Sequence, residues 1–362
     1  MTSNPLGLAT ALTTAALFTS TASAQSGVTL MPVQDTTLYE SATGALANGS
    51  GASIFVGRSG GTSGSAARRA LLQFDLTGAL PPGAVILAAE LVLFVEQTSA
   101  TAPTTAFVHR VTSPWLEGSV AAPGNGGNGG PAVAGETTWL HRDFPNVLWA
   151  NPGGDFDPTP SFTFELPITG AAPTGSPTGL VADLKNWIAN PATNFGWLIK
   201  TDELAASTSR RCASREAAAM PPELRISYLN PGQTGNFGLP CNVGGSASQR
   251  FLLGIGVGPA TGGSFIPLVY ATGPANALGA TFVSLGVDPV GTPLFPGCSA
   301  WLPLTGLLIR DSLFATDGSG TAQTGFGVPI NAPGYLIGIQ GVAIDTTAMG
   351  FTLSNACVLL TQ

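Results

Sequence analysis

Arg69-Ala-Leu-Leu-Gln-Phe-Asp75 decides the fold class of this chain. Successive side chains of an extended strand point to opposite faces. Ala70, Leu72, Phe74 and Leu76 therefore share one face, and Arg69, Leu71, Gln73 and Asp75 share the other. Such period-two alternation predicts a strand with one side in a core. Glu90-Leu-Val-Leu-Phe-Val-Glu96 is almost continuously apolar, as for a strand buried on both sides, and Phe107–Val111 and Trp197–Lys200 look similar. Pro81-Pro-Gly83 and the Gly/Asn-rich stretch from Pro123 to Pro131 read as loops. Several short strands between turn signals predict a sandwich or jelly roll.

One helix interrupts the pattern. Leu180, Val181, Leu184, Trp187 and Ile188 recur at helical spacing, and Asn190-Pro191 ends the run. About three turns are enough to cover an open end of a sandwich. Composition agrees with an all-β protein: 9% of residues are charged, 44% are hydrophobic, and there are 48 glycines and 29 prolines. A formal charge of -7 argues against a nucleic-acid partner, whose phosphates demand a dense basic surface.

Charge density breaks near residue 230. Of 13 basic and 20 acidic residues, only Arg250, Arg310, Asp288, Asp311, Asp317 and Asp345 lie beyond it. Residues 1–24 read as a secretory signal, with an apolar stretch from Leu6 to Phe18 and Ala22-Ser-Ala24 as the cleavage site, although no Lys or Arg precedes the stretch. Residues 25–228 form a first β-sandwich, 229–240 a polar linker and 241–362 a second β-sandwich, so the expected architecture is two sandwiches in tandem. After Gln25 no apolar run reaches the roughly 18 residues of a membrane span.

Four cysteines suit an oxidising compartment. Three full pairings exist; the favoured bridge is Cys241 with Cys298, each beside a Pro or Gly turn, with Cys212 left as a small buried hydrophobe. No CxxC or Cys/His cluster offers a zinc site.

Seven motifs follow one another in fixed order: Arg69–Asp75, Pro82-Gly-Ala-Val-Ile86, Arg110-Val-Thr-Ser-Pro-Trp-Leu-Glu117, Thr138-Trp139, Gly153-Gly-Asp-Phe156, Gly196-Trp-Leu-Ile-Lys200 and Ser214-Arg-Glu216. This series, over about residues 35–228, resembles the DNRLRE domain, a group related to carbohydrate-binding module family 96. Cys212 departs from the pattern, where a larger apolar residue is usual before Ser-Arg-Glu. The resemblance implies a jelly roll that binds a glycan and does not cut it. Pro296-Gly-Cys298, Leu336–Gln340 and Ser354-Asn355 resemble a small β-domain of exported planctomycete-type bacterial proteins, and no function passes through that likeness.

Sugars are held by aromatic faces and by planar polar groups. Trp115, Trp187 and Trp197 sit in apolar periodic contexts and are expected in cores. Trp139 and Trp149 lie among Gly, Asn, Pro and charged residues and are expected as exposed platforms. Arg69, Gln73, Arg110, Lys200 and Arg215 end or flank strands; if those strands adjoin, they form a basic groove suited to an anionic polysaccharide. The competing reading has Arg69, Asp75, Arg215 and Glu216 pairing with one another to pin strand register.

Other chemistry has thinner support. Glu117, Glu136, Asp143, Asp155 and Asp157 offer carboxylates for a glycosidase, and His109-Arg110 or His141-Arg142 a base for a lyase. A broken Gly-x-Ser-x-Gly falls at 61–65. No catalytic cofactor is expected; a structural calcium ion would draw on Asp35, Glu40, Asp155 and Asp157. The sequence thus points to a secreted bacterial protein that binds an extracellular, anionic polysaccharide. A structural envelope or matrix protein, and then a lyase or glycosidase, stand as alternatives.

Overall fold

The computed structural model describes residues 25–60, 66–243, 250–256, 259–288, 290–346 and 350–362. The expected signal segment and the broken Gly-x-Ser-x-Gly lie outside the described residues. The chain is all-β, with two sandwiches in tandem and, among the described residues, one α-helix, Thr178–Ala189.

The first sandwich is one sheet curled into two leaves. One leaf runs through the strands Ser26–Leu30, Glu223–Leu229, Val85–Thr98, Arg210–Ala213 and Ser53–Arg58. The other runs through Ala67–Gln73, Trp197–Lys200, Thr104–Arg110 and Phe162–Leu166, with Gln34–Tyr39 on the Ala67–Gln73 strand. The corner is Ser53–Arg58, which pairs with the first leaf along its length and with the second through Gly57↔Arg68 and Arg58↔Ala67. The leaves close on Ile54, Val56, Leu72, Phe74, Leu91, Leu93, Val95, Val108, Trp197 and Ile226. The helix lays Leu180, Val181, Leu184 and Trp187 into the same core, as its spacing predicts, whereas Ile188, expected with them, is exposed. Cys212 is fully buried there. The strand through Glu90–Glu96 differs from expectation: Leu91, Leu93 and Val95 are buried while Val92 and Phe94 are only half-buried, so a single face carries the core.

The second leaf is covered on its outer side as well. Between Thr104–Arg110 and Phe162–Leu166 the chain makes an excursion of some fifty residues across that face. Trp115, Trp139 and Trp149 from the excursion pack on Leu38, Ala67, Leu71 and Leu198, forming a second, smaller core. Leu71 and Leu198 explain the cover. They lie on the face opposite Leu72 and Ile199, and their burial needs a second layer.

Part of the segment read as a linker belongs to strands. Leu229 closes a strand of the first sandwich, residues 230–233 turn, and Thr234–Phe237 pairs with Gly350–Leu360 in the second. Residues 230–233 and 238–240 lie outside strands. The second sandwich sets a six-stranded sheet against the three strands Leu252–Ile255, Phe265–Ala271 and Ala322–Gly327. Its core includes Phe251, Tyr270 and Phe314, with the rings of Tyr270 and Phe314 stacked at 4.2 Å. Cys241 and Cys298 form a disulfide, S–S 2.04 Å. An apolar seam of Leu87, Leu229, Val358 and Leu360 joins the two sandwiches.

Candidate functional site

The seven expected ligand-binding residues do not line one groove. Arg69 and Lys200 do meet, because Ala67–Gln73 and Trp197–Lys200 are neighbours and both side chains share the outer face with Leu71 and Leu198. Glu203 reaches back between them. Its carboxylate takes hydrogen bonds from Arg69 Nε and Nη2 at 2.8 and 2.9 Å and lies 3.4 Å from Lys200 Nζ. Arg69 lies 4.6 Å from the Trp139 ring centre and 5.6 Å from that of Phe156. Gly153 completes the nest: its carbonyl accepts from Arg69 Nη1 at 2.8 Å. Its φ is +88°, and a Cβ there would lie 2.5 Å from that nitrogen, so only glycine fits.

The expectation of exposed tryptophan platforms is overturned. Trp139 is 9% exposed and Trp149 4%, and Trp149 Nε1 donates to Thr138 O at 2.9 Å. Their polar sequence neighbours belong to turns of the excursion, whereas the rings face inward onto the sheet. Trp115, Trp187 and Trp197 are buried as expected.

Arg110 lies on the inner side of its strand, at the sandwich end, where it meets Asp157 at 2.9 Å and Asp183 of the helix at 3.5 Å. Burial first of all raises the Asp183 carboxyl, which accepts from Trp197 Nε1 at 2.8 Å. Arg215 sits on the turn after Arg210–Ala213 and holds Glu117 through Nε and Nη2, both at 2.5 Å, and Glu216 at 2.9 Å. Arg69 and Lys200 share the single carboxylate of Glu203, while Arg110 and Arg215 each face two carboxylates, so the four do not form the expected basic groove. Asp75, offered as a partner for Arg69, instead accepts from Thr77 N.

Arg215 belongs to a second cluster. Asp35, Glu117 and Glu216 each present an oxygen within 4.8 Å of the others. Asp35 is fully buried. Burial pushes its carboxyl up to about 8; the Arg215 N–H offsets part of that rise, and Glu216 and Glu117 add to it. The carboxylates expected to hold calcium with Asp35 are spent elsewhere. Glu40 accepts from Ala67 N, Asp155 from Ala150 N, Asn151 N and the Ser113 hydroxyl, and Asp157 from Arg110.

Gln73 lies apart, in a cleft of about 510 Å³ at the helix end of the sandwich. Val33, Leu80 and Ile188 supply apolar walls, and Gln34, Gln73, Asp75 and Asn194 supply polar groups. Gln73 Nε2 donates to Asn194 O at 2.7 Å, and Asn194 Nδ2 to Phe74 O at 2.8 Å, which fixes that wall. Gln34 Oε1 is buried without a partner. Asp75 is exposed, and the Thr77 N–H and hydroxyl hold its carboxyl below the usual range.

Groups offered for hydrolysis or elimination have other partners. Glu136 is fully buried and accepts from Ser119 N and Val120 N. His109 packs edge-on to Phe156 with Nδ1 2.8 Å from Asp157 O, and burial lowers its pKa. His141 contacts Thr138 and the Phe144 ring. Glu203 and Gln34 were missed by the sequence reading, whereas Glu216 was offered as a pairing partner and does meet Arg215 at 2.9 Å.

No protein-family model matches the chain, so the DNRLRE resemblance stands on its motifs alone. No curated protein matches it. Among solved structures, the N-terminal CBM22-1–CBM22-2 tandem domain of Xyn10C from Paenibacillus barcinonensis aligns over 94% of this chain and 100% of its own, at 11% identity. The TM-score of 0.17 is too low to bear on fold or function.

Proposed function

We propose that this protein binds an extracellular polysaccharide without cleaving it, and that the cleft beside the helix is the binding subsite. The observation that carries the reading is the open cleft of about 510 Å³, walled by the side-chain amides of Gln34, Gln73 and Asn194 and by aliphatic side chains. Side-chain amides offer both donors and acceptors to sugar hydroxyls. The volume falls within the roughly 300–1,000 Å³ of ligand clefts, and C–H faces of a pyranose suit Val33, Leu80 and Ile188. An anionic chain is not favoured here. The Arg and Lys residues that suggested one are paired with carboxylates, and ionised Asp75 borders the cleft. Uncharged, hydroxyl-rich polymers are the preferred class.

Affinity electrophoresis of the full chain through gels containing xylan, β-glucan, alginate, pectin or no polymer tests this. Retardation by a neutral polymer, without new reducing ends or unsaturated uronates, is expected, and Gln73→Ala and Ile188→Asp should abolish it. Free migration through every gel would overturn the reading. One observation favours a structural role as the second reading: the edge strand Leu308–Ala315 exposes Leu308, Ile309 and Leu313. Sedimentation showing self-association without glycan binding would move that reading ahead.

A further inference from the structure

We propose that Asp35, Glu117 and Glu216 hold one divalent cation, calcium by preference, which fastens the excursion to the first sandwich. The three residues come from distant stretches of chain. Asp35 lies on the Gln34–Tyr39 strand, Glu117 on the excursion two residues after Trp115, and Glu216 on the turn after Arg210–Ala213. The fold nevertheless brings one oxygen of each within 4.8 Å of the others.

Hydrogen bonding inside the cluster is incomplete in a telling way. Asp35 Oδ2 accepts from Arg215 N at 2.7 Å, and Arg215 engages both oxygens of Glu117 and one of Glu216. That leaves Asp35 Oδ1 and Glu216 Oε2, both buried and both without a partner. A buried carboxylate oxygen normally has a donor or a cation. Arg215 supplies one positive charge against three carboxylates. A single divalent ion closes that balance; Glu117 Oε1 already accepts from Asp35 N and Arg215 Nε, and Oε2 keeps a lone pair to share with the ion.

The ligand chemistry selects the ion. All donors are hard oxygens, with no imidazole or thiolate, which excludes a zinc-type site. Magnesium binds reluctantly without several of its waters, whereas calcium accepts irregular carboxylate cages. The burial of Asp35 favours the ion that sheds water more readily. This inference is independent of the glycan cleft and concerns different side chains.

The test is thermal unfolding of the chelator-treated full chain at pH 7, with calcium chloride, magnesium chloride or neither. At a hundredfold excess over Kd, calcium should raise Tm by about 5–10 °C, and magnesium by less. Isothermal titration should give one calcium per chain. Asp35→Asn should be about as stable as the metal-free parent, because the amide is close in shape to the carboxyl it replaces, yet should not respond to calcium. Glu216→Gln, on the more exposed side, serves if Asp35→Asn does not fold. A parent that gains nothing from calcium would overturn the proposal in favour of a proton on Asp35. Equal gains in parent and variants would overturn it in favour of diffuse ion binding.

Discussion

Arg69 and Glu203 form a two-armed ion pair, with each side chain only 12% exposed and Trp139 stacked on the guanidinium. Glu203 adopts a left-handed backbone, φ +59°, which a non-glycine residue keeps only when its surroundings hold it. Removing one partner strands the other charge beneath the excursion. Arg69→Ala and Glu203→Ala should each cost about 3 kcal/mol, whereas the double change Arg69→Met with Glu203→Leu should cost much less. Urea unfolding measures all three. Single variants within about 0.5 kcal/mol of the parent would mean the pair behaves as a surface bridge.

The same pair gives a pH signature. Burial alone raises the Glu203 carboxyl, but the Arg69 hydrogen bonds and the charges of Arg69 and Lys200 together hold it below its usual value. The Arg110 hydrogen bond, followed by that from Thr159, lowers Asp157. A carboxyl lowered in the folded state stabilises fully above its unfolded pKa, and this contribution is lost as pH falls through the folded value. Stability should therefore decline below about pH 4.5, where unfolded Glu and Asp begin to take up protons. Glu203→Gln should be weaker than the parent at pH 7, and the gap should shrink towards pH 3. A gap that stays constant over that range would sink the assignment.

The sheet architecture was legible in the sequence because alternation is local. Ala70, Leu72 and Phe74 face the core as their parity requires, and the helix falls where Leu180, Leu184 and Trp187 place it. The site was less legible because its decisive contacts are long-range. Nothing in the spacing of Arg69 announces Glu203, 134 residues away. One signal was present and underweighted. Leu71 lies on the face away from the core, and Trp197–Lys200 read as buried on both sides, so Leu71 and Leu198 on adjoining strands imply a covering layer. Trp139 and Trp149 supply it, so their polar neighbours misled.

That covering layer makes the two tryptophans structural. Trp149→Phe leaves Thr138 O without the indole N–H and should cost about 1–3 kcal/mol. Trp139→Ala, which opens a cavity above Arg69, should cost about 3–5 kcal/mol. Neither should change glycan retardation under conditions where the variant stays folded. Loss of retardation in a folded Trp139→Ala chain, by circular dichroism, would return the ring to the binding surface.

The cysteines divide by chemistry. Cys241 and Cys298 close a loop with a sequence separation of 57, and a bridge over that span removes about 4 kcal/mol of unfolded-state entropy. Cys212 and Cys357 are buried thiols. Burial pushes Cys212 up to about 12 and Cys357 higher still, so neither forms thiolate at neutral pH. Iodoacetamide should therefore leave the native, oxidised chain unlabelled. After mild reduction it should label Cys241 and Cys298 alone, and mass spectrometry of the peptides would identify them. The double variant Cys241→Ser with Cys298→Ser should melt earlier, with the loss confined to the second sandwich as read by Trp301, which lies close to Phe237 in that unit. Labelling of Cys357 before reduction would show that the sheet around it opens far more readily than its burial implies.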